Sequence, residues 1–218
     1  MKRNVDLMEI SDGKLYTSND MVKADCHDCK GCSSCCHGMG KSIVLDPFDI
    51  YRLCTGLKMN FATLLKEKVE LNIVDGLTLP NLKMNGKEES CGFLNDEGRC
   101  NVHGYRPGIC RMFPLGRYYD EKGFSYFLQI HECPMQNKGK VKVKKWLDTP
   151  DLKKYEQYIS DWHEFQKKCQ EELSELTEGQ IRILNLLILR TFYETEYKEF
   201  YLEFYERLNG IKIQLGMV

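Results

Sequence analysis

No apolar stretch of this chain approaches the roughly 18 to 20 residues that a bilayer-crossing helix needs. The strongest, Leu184 to Leu189, is far too short, so no membrane-spanning helix and no membrane partner are expected. Excess charge is lacking too: 31 Lys and Arg stand against 32 Asp and Glu, a formal net charge of −1. Nothing global therefore draws the chain to nucleic acid. The one local exception, the KGKVKVKK run from Lys138 to Lys145, alternates as a strand does and reads as a lysine-protected sheet edge. Met1 to Ile10 has no continuous apolar core of the kind a secretory signal carries. The expected address is the cytoplasm, where thiols stay reduced. No internal repeat or low-complexity tract is present, and 218 residues are enough for one large domain or two small ones around a buried core.

Cysteine, by contrast, is abundant. Nine of the 11 fall in two windows, Cys26, Cys29, Cys32, Cys35 and Cys36, then Cys91, Cys100, Cys110 and Cys133. An odd total disfavours a complete disulfide set, and clustering in a reducing compartment points to metal or catalysis. Soft, anionic thiolates suit zinc, iron or an iron–sulfur cluster, and a two-residue gap lets one tight turn aim two sulfurs at one ion. The spacing Cys26-x2-Cys29-x2-Cys32-x3-Cys36 reproduces a bacterial ferredoxin ligand run. That run's proline is missing, since His37 follows Cys36, and there is no second copy. Cys54 and Cys169 stand apart from both windows and are expected to be small buried apolar residues.

Another register begins at Cys29 and reads CKGCSSCC; downstream follow Cys91-Gly-Phe-Leu, Cys100-Asn-Val-His, the stretch Tyr105-Arg106-Pro107-Gly108-Ile109-Cys110-Arg111-Met112-Phe113-Pro114, and Cys133-Pro134. This ordered combination resembles the YkgJ-like CxxCxxCC cysteine-cluster family, to which zinc or iron chelation is ascribed. The likeness runs from about Cys29 to Cys133. It implies a metal or iron–sulfur domain with Cys29, Cys32, Cys35, Cys36, Cys91, Cys100, Cys110 and Cys133 as ligands. Ser33 departs from the pattern where relatives often carry glycine, and Cys26 is extra. Flagellin lysine N-methylases look like members of the wider family, but no glycine-rich loop after a strand marks a methyl-donor pocket here.

Four thiolates on one zinc ion, or around one cubane cluster, leave about two negative charges. Donors must lie nearby, and Arg106 and Arg111, which bracket Cys110, are expected to stabilise the ligand sulfurs. Arg99 and Lys30 are further candidates. His37, His103 and His131 lie near cysteines; each is expected to support the ligands and not to bind metal directly. Eight ligands exceed one tetrahedral site, so two closed sites, or one cluster plus further sites, are both open.

The expected architecture is α+β: a small, irregular, metal-stapled domain over residues 1–147, with short strands and helices, then a C-terminal helical pair over 148–218. Residues 1–25 read as a polar arm. Asp46-Pro47 starts a helix, a second short one covers Phe61 to Glu70, and Asp75-Gly76 turns a hairpin between Leu71 and Met84. Strands at Tyr118 to Tyr119 and Phe124 to Ile130 pair across residues 120–123. A helix from Thr149-Pro150-Asp151 ends near Leu176, and one of about 31 residues, roughly 46 Å long, runs from Thr177 to Leu208. Tyr193, Tyr197, Tyr201 and Tyr205 form an aromatic stripe on it, read as core packing, with a protein partner as the alternative. Functionally the chain reads as a metal-binding protein holding an iron–sulfur cluster, slightly favoured, or zinc. An S-adenosylmethionine-dependent protein lysine methyltransferase and a zinc-stapled interaction module are the alternatives.

Overall fold

A computed structural model describes residues 6–26, 32–121 and 123–217. Cys29, Lys30 and His27 lie outside the described residues. The fold is α+β. After a short helix α1 (Leu7–Ile10), strands β1 (Ser11–Tyr16) and β2 (Met21–Asp25) lead towards the first cysteine window. Residues 11–25 are thus not a loose arm. Antiparallel β1 joins a sheet of order β1-β8-β7, with β7 Leu115–Asp120 and β8 Gly123–Gln129, while β2 pairs with β9 (Gly139–Lys142). The lysine run is a strand only in its first half; from Val143 it turns into helix α5 (Val143–Leu147).

Helix α2 (Pro47–Leu57) starts as its sequence dictates. The Asp46 carboxylate accepts the Asp49 N–H, the Asp49 carboxylate accepts the Asp46 N–H, and Pro47 occupies the first turn. Helix α3 (Phe61–Glu67) is capped by Asn60, and the hairpin β3 (Val69–Val74) and β4 (Leu77–Leu82) follows. Its turn residues Asp75 and Gly76 both have positive φ, 48° and 88°, as a tight primed turn requires. Short strands β5 (Met84–Asn85) and β6 (Ser90–Cys91) form a two-stranded ladder, and helix α4 (Gly108–Met112) carries Cys110.

Helix α6 (Leu152–Glu172) begins at the expected place, although Asp151, with φ 49°, makes no capping bond from its side chain. The 31-residue helix expected after it is broken. Helix α7 (Glu178–Leu189), opened by a Thr177–Gln180 capping box, gives way to a π-helical turn at Arg190–Glu194, and α8 (Phe200–Gln214) resumes on a new line. Asn209-Gly210 does not end α8, which continues through them. The Arg207 guanidinium holds the break: it donates to the carbonyls of Thr191, Thr195 and Glu196, pairs with Glu203 at 3.0 Å, and lies 3.7 Å above the Tyr197 ring. The carbonyls released by the broken helix thereby find a charged donor.

Among the described residues two apolar clusters result. The larger joins α2, α3 and the β3–β4 hairpin to α6, α7 and α8 through Leu53, Leu64, Leu77, Tyr158, Phe165, Phe192 and Phe204. The smaller joins β2, β7, β8 and α5 through Val22, Leu115, Tyr126 and Val143. Phe192 and Phe204 are fully buried and Tyr193 nearly so, with Tyr197, Tyr201 and Tyr205 packed part-buried against them, so the aromatic stripe is core. Each such ring contributes about 1.5 to 3 kcal/mol by leaving water. Ile109, Phe124 and Leu152 pack against both clusters, which places α4 at the seam between them. Among the described residues no helix is long and apolar enough to cross a membrane.

Candidate metal centre

Three chain segments meet in front of α4. The 3-10 turn Ser34–Cys36 brings Cys35 and Cys36, strand β6 ends in Cys91, the loop after it carries Cys100, and α4 presents Cys110. All five, with Cys32, line one cavity of about 420 Å³. The turn is held in place by His37, whose ring nitrogens face the hydroxyls of Ser90 at 3.0 Å and Ser33 at 3.4 Å. That arrangement uses both imidazole nitrogens, as a supporting role demands.

The thiols feel one another. Cys36 donates a hydrogen bond to Cys35, and that bond, against the opposing pull of burial and with help from Arg106, lowers Cys35 to about 7. Cys36 is pushed up in return, by its bond to Cys35, by burial, and by the negative charge that Cys91 and Cys100 can carry. Burial is the main cause raising Cys91, Cys100 and Cys110, and each is raised further by neighbouring thiols. Thiols crowded in a low-dielectric pocket resist a second negative charge unless a cation accompanies it. A metal ion is such a cation, so the donor set fits zinc or iron. Among the described residues, no group of three His, Cys, Asp or Glu side chains is placed to hold one ion.

The remaining sequence candidates divide. Cys32 lies part-buried on the cavity wall, 3.5 Å from the Ser34 hydroxyl. Cys133 is off the cavity wall, which includes its neighbour Glu132; the Cys133 carbonyl accepts the Lys138 ammonium at 3.3 Å. Cys26 is buried at the end of β2, also off the wall, and Cys169 is buried in α6, while Cys54 is only half-buried. Arg106 and His103 are on the wall and hydrogen-bonded to each other, and Arg106 exerts its charge on Cys35 and Cys100. Arg111 is not on the wall. It is 3% exposed, donates to the Arg106 carbonyl at 3.0 Å, and stands 5.6 Å over the Tyr155 ring.

Behind the cysteines lies a group that the sequence did not single out as part of the site. Asp49, 2% exposed, accepts the Gly108 N–H at 2.7 Å and so ties the N-terminus of α4 to that of α2. Burial, then the neighbouring Asp46 charge, raises Asp49 to about 7 against the opposing pull of Arg111. Asp46 also accepts the Tyr158 hydroxyl, and the Tyr158 oxygen accepts the Phe48 N–H. The sequence signal here was the Asp46-Pro47 cap, which shows a helix start but not its distant partner. The cavity continues past these carboxylates to Arg117 and Tyr119 of β7 and to Trp162, His163 and Gln166 of α6.

Comparison with curated proteins and with solved structures returned no match. Comparison with protein families did. The sequence model of CxxCxxCC, described as a proposed zinc- or iron-chelating domain, matches residues 28–170, well over half of the chain, and the chain belongs to that family.

Proposed function

We propose that the chain holds a thiolate-bound metal centre, an iron–sulfur cluster in preference to zinc, on the wall of this cavity. The observation that carries the reading is the gathering of Cys35, Cys36, Cys91, Cys100 and Cys110 from separate segments into one electrostatically coupled group. Cys29, Cys32 and Cys133 complete the ligand set by their place in the family motif. Thiolates dominate and His37 is engaged by serines, which favours iron–sulfur chemistry over a mixed Cys/His zinc site. Such a centre would supply one-electron chemistry or a structural cross-link for the loops around it. Arg106 and His103 balance its charge, and Arg111, through the Arg106 carbonyl, holds Arg106 in position. All ten described cysteines are unbridged, which supports a reducing compartment and hence the cytoplasm. Residues 1–147 supply the thiols and helix α6 closes the far wall, which is the sense in which the two segments divide.

Anaerobic purification followed by metal, acid-labile sulfide and absorption measurements tests this. Iron and sulfide are expected, lost in Cys35→Ser and Cys110→Ser but retained in Cys54→Ser. A colourless protein with stoichiometric zinc and no sulfide would sink the iron–sulfur version, and full metal retention in both loss variants would sink the site.

A further inference from the structure

The cavity is larger than a metal centre and its sulfurs need, and its far arm carries a donor that none of the described residues uses. At about 420 Å³ it falls within the range of roughly 300 to 1,000 Å³ typical of small-molecule sites. Arg117, on the wall of this arm, donates Nη2 to the Tyr155 hydroxyl at 2.8 Å. Its guanidinium is fixed between aromatic rings, 5.6 Å from the centroids of both Phe124 and Tyr155. Its Nε is shut away from solvent with no hydrogen-bond partner among the described residues. A buried, unspent donor of this kind costs about 1 to 3 kcal/mol. Its preorganisation spares a ligand much of the ordering cost of binding.

The nearby acids do not fill the role. Asp46 and Asp49 attract the guanidinium electrostatically or lie on the same wall, but their hydrogen bonds go to each other's backbone N–H, to Tyr158 and to Gly108. A carboxylate that reaches this edge of Arg117 can take Nε together with the second Nη2 hydrogen, the first being given to Tyr155, in the forked geometry that arginine favours. Its apolar body then has Ile159 and Trp162 to lie against, and the Tyr119–His163 stack, 3.7 Å between centroids and 15° between planes, stands beside it. We propose that this arm binds a small organic carboxylate, with the acid on Arg117 and the apolar body against α6. The site does not depend on the identity of the metal, or on its presence.

Calorimetric titration of the isolated protein, its metal content measured, with benzoate, glutarate and inorganic phosphate at fixed ionic strength tests the proposal. Saturable binding of benzoate or glutarate is expected below about 10 mM, weaker by about tenfold or more in Arg117→Gln. Lys154→Gln, on the exposed face of α6, should bind as the parent does. Should Arg117→Gln misfold, Arg117→Lys, which keeps the charge but loses the fork, should still bind several-fold more weakly. Repeating the titration after chelation separates the two sites: binding should persist whether or not metal remains. Absence of saturable binding, parent-like affinity in both Arg117 variants, or equal affinity for inorganic phosphate overturns the assignment.

Discussion

Gly108 packs directly against Tyr155 of α6, and replacing it by alanine tests how α4 is positioned. A Cβ at residue 108 would stand 2.2 Å from the Tyr155 hydroxyl oxygen, 3.4 Å from Tyr155 Cζ and 3.5 Å from Asp49 Oδ1. Ordinary contact begins near 3.5 Å, so something must retreat by about 1 Å. Tyr155 cannot: it is 1% exposed, its hydroxyl is held by Arg117 at 2.8 Å, and its ring is wedged 5.5 Å from that of Phe48. The yielding element is therefore α4. Overpacking of this kind costs about 1 to 3 kcal/mol, offset by at most about 1 kcal/mol from alanine's better helix propensity. A net loss of about 1 to 2 kcal/mol is expected by urea denaturation. Cys110 moves with the helix, so metal bound per chain should fall as well.

Tyr155→Phe removes the obstructing oxygen and makes the argument refutable. Alone it should cost about 1 kcal/mol, the bond to Arg117 being lost. Combined with Gly108→Ala it should cost less than the sum of the two, with a coupling of about 1 kcal/mol or more. Stability of Gly108→Ala equal to the parent, or a coupling within about 0.5 kcal/mol of zero, would show that Tyr155 is not the stop against which α4 rests.

Two further outcomes follow from buried charge. Asp49 is raised from 3.8 to about 7 by burial and by Asp46, so as pH rises the unfolded chain gives up this proton first. Its contribution to stability is therefore most favourable below about pH 4, declines from about 4 to about 7, and is level above that. Asp49→Asn, which keeps an acceptor for the Gly108 N–H, should flatten that decline in a comparison of urea midpoints across pH; parallel profiles would refute it. Arg207→Met strips the charged donor from three carbonyls at the helix break and should cost about 2 to 3 kcal/mol, read from the same denaturation curves. An unchanged midpoint would mean that the break is held by packing alone.

The fold was legible where the signal is local. Asp46-Pro47 gave α2 its start, Asp75-Gly76 gave the β3–β4 hairpin its turn, and β7 and β8 were separated by a short polar connection. It was illegible where the partner is remote. Ser11 pairs with Gln129 and Met21 with Lys142, so β1 and β2 owe their strand character to sheets completed over 100 residues later. The helix break hides for a different reason. Phe200 follows Tyr193 by seven residues, two turns of an unbroken helix, so the apolar rhythm passes through residues 195–199 without a fault. Arg207, twelve residues beyond Thr195, satisfies three of the freed carbonyls, and the Thr195 and Tyr197 hydroxyls take those of Arg190 and Phe192.

The same contrast runs through the site. Cysteine spacing is local chemistry, and it marked the thiols that the fold gathers at Cys35, Cys36, Cys91, Cys100 and Cys110, though not which of them face one another. The opposite arm has no motif, because Arg117 sits on β7 and His163 and Gln166 on α6, each unremarkable in its own segment. What joins the two arms is α4. Its N-terminus hangs from Asp49, Gly108 abuts Tyr155, and Tyr155 in turn holds Arg117, so one short helix carries a thiol towards the metal and sets the backing for the arginine. A displacement of α4 must then alter both ends of the cavity together, and Gly108→Ala should weaken carboxylate binding as well as metal retention if both sites share this support.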